Sequence, residues 1–262
     1  MLKPFRCLVS TAALFALSTS CLLAAEAPAP VNANPIATIL PSVGPRARGT
    51  PGTFLLKKGN SIVAIGDSIT QAGGYLNMID GALAQLYPAL QLPKVINTGI
   101  SGQKAEDLVG RFQRDVVDRK PTVVTLSIGI NDVWHRVGAP HDENVLKAYK
   151  ENVSKMVDMA QAHRIKVILL TPTLIQEDPA AEGNKRLVMY VDAMKSIAKE
   201  KKCELADLHG MFLEALKHKP ADTNGNWLTS DGVHMKPLGD AAMAVGVLRA
   251  LGVPDRNLSR LK

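Results

Sequence analysis

Four short segments hold the side chains that could make and break an acyl bond. In Ile62-Val63-Ala64-Ile65-Gly66-Asp67-Ser68 an apolar run ends in a glycine and delivers a serine onto a turn. If a helix follows, the serine N–H lies near its positive end. A serine alone is a poor nucleophile and needs a base to take its proton. Ser230-Asp231-Gly232-Val233-His234 could supply one, because a carboxylate three residues before an imidazole can reach the ring on one turn. There it fixes the tautomer and stabilises the imidazolium. Acyl transfer also needs donors aimed at the developing oxyanion. Gly129-Ile130-Asn131-Asp132 offers the Asn131 amide, and Asn97-Thr98-Gly99-Ile100-Ser101-Gly102 offers the N–H of Gly99, where no side chain blocks a close approach. Each segment also has a plain structural reading. Asp67 or Ser68 can cap a helix, Asn131 can close an Asx turn, Gly99 can be a loop glycine, and Asp231-Gly232 is a common turn pair.

The elements that must position these residues alternate along the chain. Short apolar runs at 61–65, 94–97, 122–128, 166–170 and 203–206 read as strands, and helical patterns near 70–87, 103–118, 142–163, 184–201 and 236–251 lie between or after them. In the second helix Ala105, Leu108, Val109, Phe112 and Val116 fall on one face. Continuous runs such as Val123-Val124-Thr125-Leu126 fit a parallel sheet buried on both sides by helices. In such sheets the ligand crevice lies beyond the carboxyl ends of the strands. Ser68, Gly99 and Asn131 follow the first three strands, and Asp231 and His234 lie just before the last helix. All four segments therefore converge on one edge.

Taken in this order, Ser68, Gly99, Asn131 and His234 with Asp231 resemble the marks of the SGNH hydrolases, also called the GDSL family, over roughly residues 54–252. The resemblance implies a flavodoxin-like three-layer α/β/α sandwich and a serine esterase that needs no metal or organic cofactor. It makes Ser68 the nucleophile, His234 the general base and Asp231 its orienting carboxylate. The Ser68 N–H, the Gly99 N–H and the Asn131 side chain would form the oxyanion hole. No Gly-x-Ser-x-Gly elbow of the lipase-type α/β-hydrolases is present. Asp67 and Asp132 read as braces for their loops, and Asp67, Trp134 and His135 are candidates to line the substrate pocket.

Other functions fit less well. A two-metal phosphatase wants clustered ligands opening on an early Asp-x-His, and the one such pair is late, at Asp207-Leu208-His209. His141, His163, His209 and His218 show no ligand spacing and read as surface residues. A non-catalytic carbohydrate-binding protein on the same fold is a further alternative, though it would have little reason to keep every catalytic position. Within the esterases, no apolar lid suggests a long-chain lipase, and the polar 174–186 loop could rim the crevice. The favoured substrate is a short-acyl ester, O-acetyl foremost, of an extracellular or envelope carbohydrate, with lysophospholipids and thioesters as alternatives.

The chain opens on Lys3 and Arg6, an apolar stretch to about Ala25 and a small-residue site, the layout of a secretory signal over residues 1–25. Export is expected, with no stable membrane insertion after cleavage. Lipoprotein processing at Cys21 is a weaker variant, since Ser18-Thr19-Ser20 lacks the usual large aliphatic residue. Residues 26–53, rich in proline and alanine, read as a tether ahead of the catalytic domain at 54–262. Of three cysteines only Cys203 lies beyond the signal, so no internal disulfide is available, and it reads as a small buried hydrophobe. Net charge is +7 with the basic residues scattered, and aromatic content is 4%, which argues against a nucleic-acid partner.

Overall fold

The structure is a computed structural model that describes residues 34–46 and 53–262. The signal segment, Cys7 and Cys21 lie outside the described residues. In chain order the elements are α1 (Pro35–Ile39), β1 (Ile62–Gly66), α2 (Ser68–Ala72), α3 (Gly74–Leu86), β2 (Ile96–Gly99), α4 (Ala105–Asp115), β3 (Val123–Ser127), α5 (Ile130–Trp134), α6 (Glu143–Ala162), β4 (Lys166–Leu170), α7 (Glu182–Lys201), β5 (Glu204–Ala206), α8 (Leu208–Leu216), α9 (Pro237–Ala250) and α10 (Asp255–Leu258).

The strands form one parallel sheet in the order β2-β1-β3-β4-β5. The β-branched residues of β1 and β3 make these the central strands, buried along their whole length. Helices α4, α6 and α7 pack in one layer, and α1, α3 and α8 gather around α9 in the other. The sheet between them makes the α/β/α sandwich expected from the sequence. Buried from Ala241 to Ala250 and apolar there on every side except at Arg249, which pairs with Asp255, α9 is an interior helix. In α4 the side chains of Ala105, Leu108 and Phe112 are fully buried, as the helical spacing predicts.

Register sets the site. Gly66 at the end of β1 pairs with Gly99 on one side and Ser127 on the other, so three strand ends are level. The chain passes from β1 outward to β2 and then back across to β3. That reversal is the topological switch point where α/β sheets open a crevice.

Several expectations need correction. The proline-rich tether is not irregular where it is described. Ile36, Ile39, Leu40 and Val43 recur at helical spacing, are buried, and pack with α9. The single helix expected at 70–87 is two, α2 and α3, broken at Gly73. Helices α5, α8 and α10 were not anticipated; α5 and α10 are too short to show a period, while α8 buries Leu208, Phe212 and Ala215 at helical spacing. His209 is not a surface residue: it is buried, with Nδ1 2.6 Å from the Thr173 carbonyl, and burial lowers its pKa. Cys203 is only partly buried, and burial still pushes its thiol up to about 11, far from a reactive thiolate. No helix among the described residues is long and apolar enough to cross a membrane.

Candidate active site

The turn after β1 is built by Asp67. Its carboxylate accepts the Ile69 N–H at 3.0 Å and caps α2, so Ser68 is the first residue of that helix. Burial pushes the Asp67 carboxyl up to about 6, against the pull of the Ile69 N–H and of His234. Being 2% exposed, Asp67 braces the turn from below and does not line a substrate pocket, which corrects one of the site expectations.

Ser68 and His234 lie 166 positions apart in the chain, and the fold brings Ser68 Oγ to 2.9 Å from His234 Nε2. On the far side of the ring, Nδ1 is 2.7 Å from Asp231 Oδ2. The other carboxylate oxygen, Asp231 Oδ1, accepts the N–H groups of Val233 at 2.9 Å and His234 at 2.8 Å. Desolvation would raise the Asp231 carboxyl, but these N–H groups and the imidazole together hold it at about 2. An ionised carboxylate, an imidazole with Nδ1–H toward it, and a serine hydroxyl donating to Nε2 are the parts of a proton relay. The turn closes on itself through Ser230 N–H to the His234 carbonyl, 2.8 Å, and a bridge between Thr229 and Met235.

Asn131, on α5, is buried and donates one amide hydrogen to the Gln103 carbonyl at 3.0 Å, which orients the second. Its neighbour Asp132 accepts the Ala105 N–H and joins the α5 turn to α4, as a brace should. Burial raises the Asp132 carboxyl to about 7.

The role expected of Gly99 needs correction. Its N–H donates to Asn97 Oδ1 at 2.9 Å, so it is already committed to a side chain of its own segment. Glycine is required there because a Cβ would overlap the backbone of Gln71. Gly102, three residues further on, sits at φ +77 in the left-handed region, and its N–H has no acceptor among the described residues. Which N–H of Asn97-Thr98-Gly99-Ile100-Ser101-Gly102 stays open depends on a hydrogen bond that spacing does not show.

Sequence reasoning also missed Arg111. This side chain is 8% exposed and joins the end of β1 to both flanks of the 99–102 loop. Its guanidinium donates to the carbonyls of Thr98 (2.7 Å) and Gly66 (3.1 Å), to Gln103 Oε1 (2.6 Å) and to Asp115 Oδ2 (2.7 Å). Asp115 is held down at about 2, first by Arg114 and then by Arg111, against its burial. Arg111 and Asp115 share the buried face of α4 with Leu108 and Phe112, and that i, i+4 charge pair on an apolar stripe was the available signal.

The indole of Trp134 is 38% exposed, and its centroid lies 6.1 Å from that of His234, edge to face. His135 is exposed beside it, with ring centroids 6.1 Å apart. The Asp207-Leu208-His209 pair is occupied otherwise: Asp207 pairs with Lys195 at 2.7 Å and caps α8. Among the described residues no group of three or more His, Cys, Asp or Glu side chains could hold a metal ion.

Comparison with known proteins accords with this geometry. Residues 64–242 match the GDSL-like lipase/acylhydrolase family. An acetylxylan esterase of Geobacillus stearothermophilus is 32% identical over 213 residues, 74% of this chain and 94% of the relative. An uncharacterized lipoprotein of Bacillus subtilis is 27% identical over 175 residues, 58% of this chain and 71% of its own. The crystal structure of the Geobacillus esterase is similar at a TM-score of 0.68 and 30% identity, over 76% of this chain and 96% of that one. An α/β hydrolase from the metagenome of Lake Arreo gives the same score and identity, over 77% and 99%. The chain belongs to the GDSL-like lipase/acylhydrolase family, the SGNH hydrolases, and is a carboxylic ester hydrolase.

Proposed function

We propose that the protein is a serine esterase that removes acetyl groups from an extracellular or envelope carbohydrate, through Ser68, His234 and Asp231. The observation that carries this reading is the unbroken line of hydrogen bonds Ser68 Oγ–His234 Nε2, 2.9 Å, and His234 Nδ1–Asp231 Oδ2, 2.7 Å. Ser68 Oγ attacks the ester carbonyl carbon as His234 Nε2 takes the hydroxyl proton. The carbonyl π pair moves onto oxygen and faces the Ser68 N–H, the free amide hydrogen of Asn131 and an N–H of the 99–102 loop, for which Gly102 is the open donor. As the pair returns, the bond to the sugar oxygen breaks and His234 gives that oxygen its proton. Water then attacks the acetyl-serine with His234 again as base. Acetate leaves, and the proton returns to Ser68.

Carbohydrate and acetyl are the finer parts of the proposal. The Geobacillus relative is an acetylxylan esterase, and its catalytic mutants replace a serine, an aspartate and a histidine. Its aspartate and histidine are three residues apart, as Asp231 and His234 are. Beside His234, Trp134 offers the flat face on which a sugar ring can rest. The large apolar side chains exposed among the described residues, Ile100, Trp134 and Val188, are few, which suits a short acyl group better than a long chain. Export rests on the charged and apolar pattern of the first residues.

The test is hydrolysis of 4-nitrophenyl esters from acetate to palmitate, and of acetylated xylo-oligosaccharide, with EDTA present. Activity greatest on acetate and on the acetylated sugar supports the proposal. A preference for long chains assigns the site to lipids instead.

A further inference from the structure

Residues 217–236, which carry Asp231 and His234, contain no helix or strand, so no ladder fixes their height above Ser68. A single carboxylate does much of that work. Glu177 Oε2 accepts the Trp227 N–H at 2.6 Å, and Oε1 accepts the Leu228 N–H at 2.7 Å, the Thr229 N–H at 2.7 Å and the Thr229 hydroxyl at 2.8 Å. Three consecutive N–H groups turned toward one anion form a nest, filled here by the protein's own side chain. Thr229 is fully buried and bridges Met235, the residue after His234.

The loop that carries Glu177 is itself anchored. Buried Asn184, on α7, accepts the Ile175 N–H at 2.8 Å and donates to the carbonyls of Gln176 at 3.3 Å and Asp178 at 2.7 Å. Leu174 and Ile175 are buried beneath it. A second strut runs from the Gln176 N–H to the Gly232 carbonyl at 2.8 Å. Contacts thus run from α7 through Asn184 and the loop of Glu177 to Thr229 and, by its bridge to Met235, to the residue after His234.

We infer that Glu177 is a positioning residue of the active site, whose carboxylate sets the register of the Asp231–His234 turn against Ser68. The inference rests on the reading of Ser68, His234 and Asp231 as the catalytic relay. A carboxylate suits the place because it only accepts. Glutamine would turn an NH2 toward at least one of the three N–H donors, and aspartate is one methylene too short. Displacing a catalytic group by about 1 Å can cost on the order of 100-fold in rate.

The test uses the full chain with Glu177→Gln, Glu177→Asp and Thr229→Val. Active sites are counted by burst titration with a 4-nitrophenyl phosphonate, and kcat per titrated site and KM are then measured on 4-nitrophenyl acetate. The downfield proton resonance of His234 Nδ1–H is recorded alongside. Expected is a fall in kcat per site of about 10- to 100-fold for Glu177→Gln, with KM little changed and the resonance shifted or broadened. Glu177→Asp should fall likewise, and Thr229→Val, which keeps the charge and loses one donor, by a few-fold. A merely structural role would reduce the number of titrated sites and leave the rate of each intact. Parental kcat per site and an unmoved resonance in Glu177→Gln would overturn the inference. If that variant does not fold, unchanged kcat per site in Thr229→Val does so instead. A parent that neither titrates nor turns over contradicts the esterase reading itself, and the resonance then still decides whether Glu177 holds His234 in place.

Discussion

The two halves of the site are built on different principles. Ser68, the 99–102 loop and Asn131 grow from the ends of β1, β2 and β3, whose register fixes their height. Asp231 and His234 stand on an irregular loop, and what aligns them is side-chain chemistry: Asp231 on its own turn and Glu177 on the segment before it. The first half is tied to the core, because Arg111 joins the end of β1 to both flanks of the 99–102 loop from inside the fold. The second has no strand ladder to hold it. Damage to the two halves should therefore look different: lost stability on one side, lost alignment on the other.

The largest effect belongs to the group that reacts. Ser68→Ala should cut turnover by about 10⁴-fold or more, while thermal melting stays near that of the parent, because Asp67 rather than Ser68 caps α2. Parental turnover in this variant would remove Ser68 from the mechanism. Next comes Asn131→Ala, with kcat down by about 100-fold and KM little changed, as for loss of an oxyanion donor. An unchanged kcat would return Asn131 to the role of a turn residue.

Arg111→Met breaks the sheet-built half from inside. It strands Asp115, which is 7% exposed, with only Arg114 as partner, and should lower stability by about 3 kcal/mol, read by denaturant unfolding. Glu177→Gln should do the opposite, losing rate per site with a small change in melting. If the two variants behaved alike, the contrast between the halves would be wrong.

The smallest effect is in pH. Burial raises Asp67 and Asp240 to about 6 and Asp132 to about 7. The unfolded chain releases these protons near the ordinary carboxylate value of about 4. Between those values the folded state binds more protons, so this contribution is fullest below about pH 4 and declines as pH rises from about 4 to 7. Asp231, held at about 2, contributes in the other direction, and its contribution is lost only in strong acid, as pH falls through that value. Melting temperature measured across pH should show the decline, and Asp132→Asn should flatten it. A melting temperature that rises from pH 4 to 7 would contradict the assignment of these carboxyls.

The legible and illegible parts of the sequence divide along the same line. That Ser68, Asp231 and His234 would meet could be read because each sits at a fixed place in a short motif after a recognisable strand or before a recognisable helix. The central strands β1, β3 and β4 were legible because buried parallel strands are continuous apolar runs, whereas the edge strands β2 and β5 are short and only partly buried. Gly99 was misread because its N–H is taken by the side chain of Asn97, a tertiary fact within a correct motif. The stripe of Ile36, Ile39, Leu40 and Val43 was present but masked by the prolines around it. Glu177 gave no signal at all. Its partners lie 50 to 52 positions away in an irregular loop, where no period or pairing rule connects donor to acceptor.

The most direct test of the central claim is to react the protein with a fluorophosphonate and map the adduct by peptide mass spectrometry. Hydrolysis of 4-nitrophenyl acetate is followed in parallel. The account predicts one adduct per chain, on the peptide containing Ser68, with activity falling in proportion, and no adduct in Ser68→Ala or His234→Ala. An adduct on another residue, or full esterase activity in a chain labelled at Ser68, would contradict it.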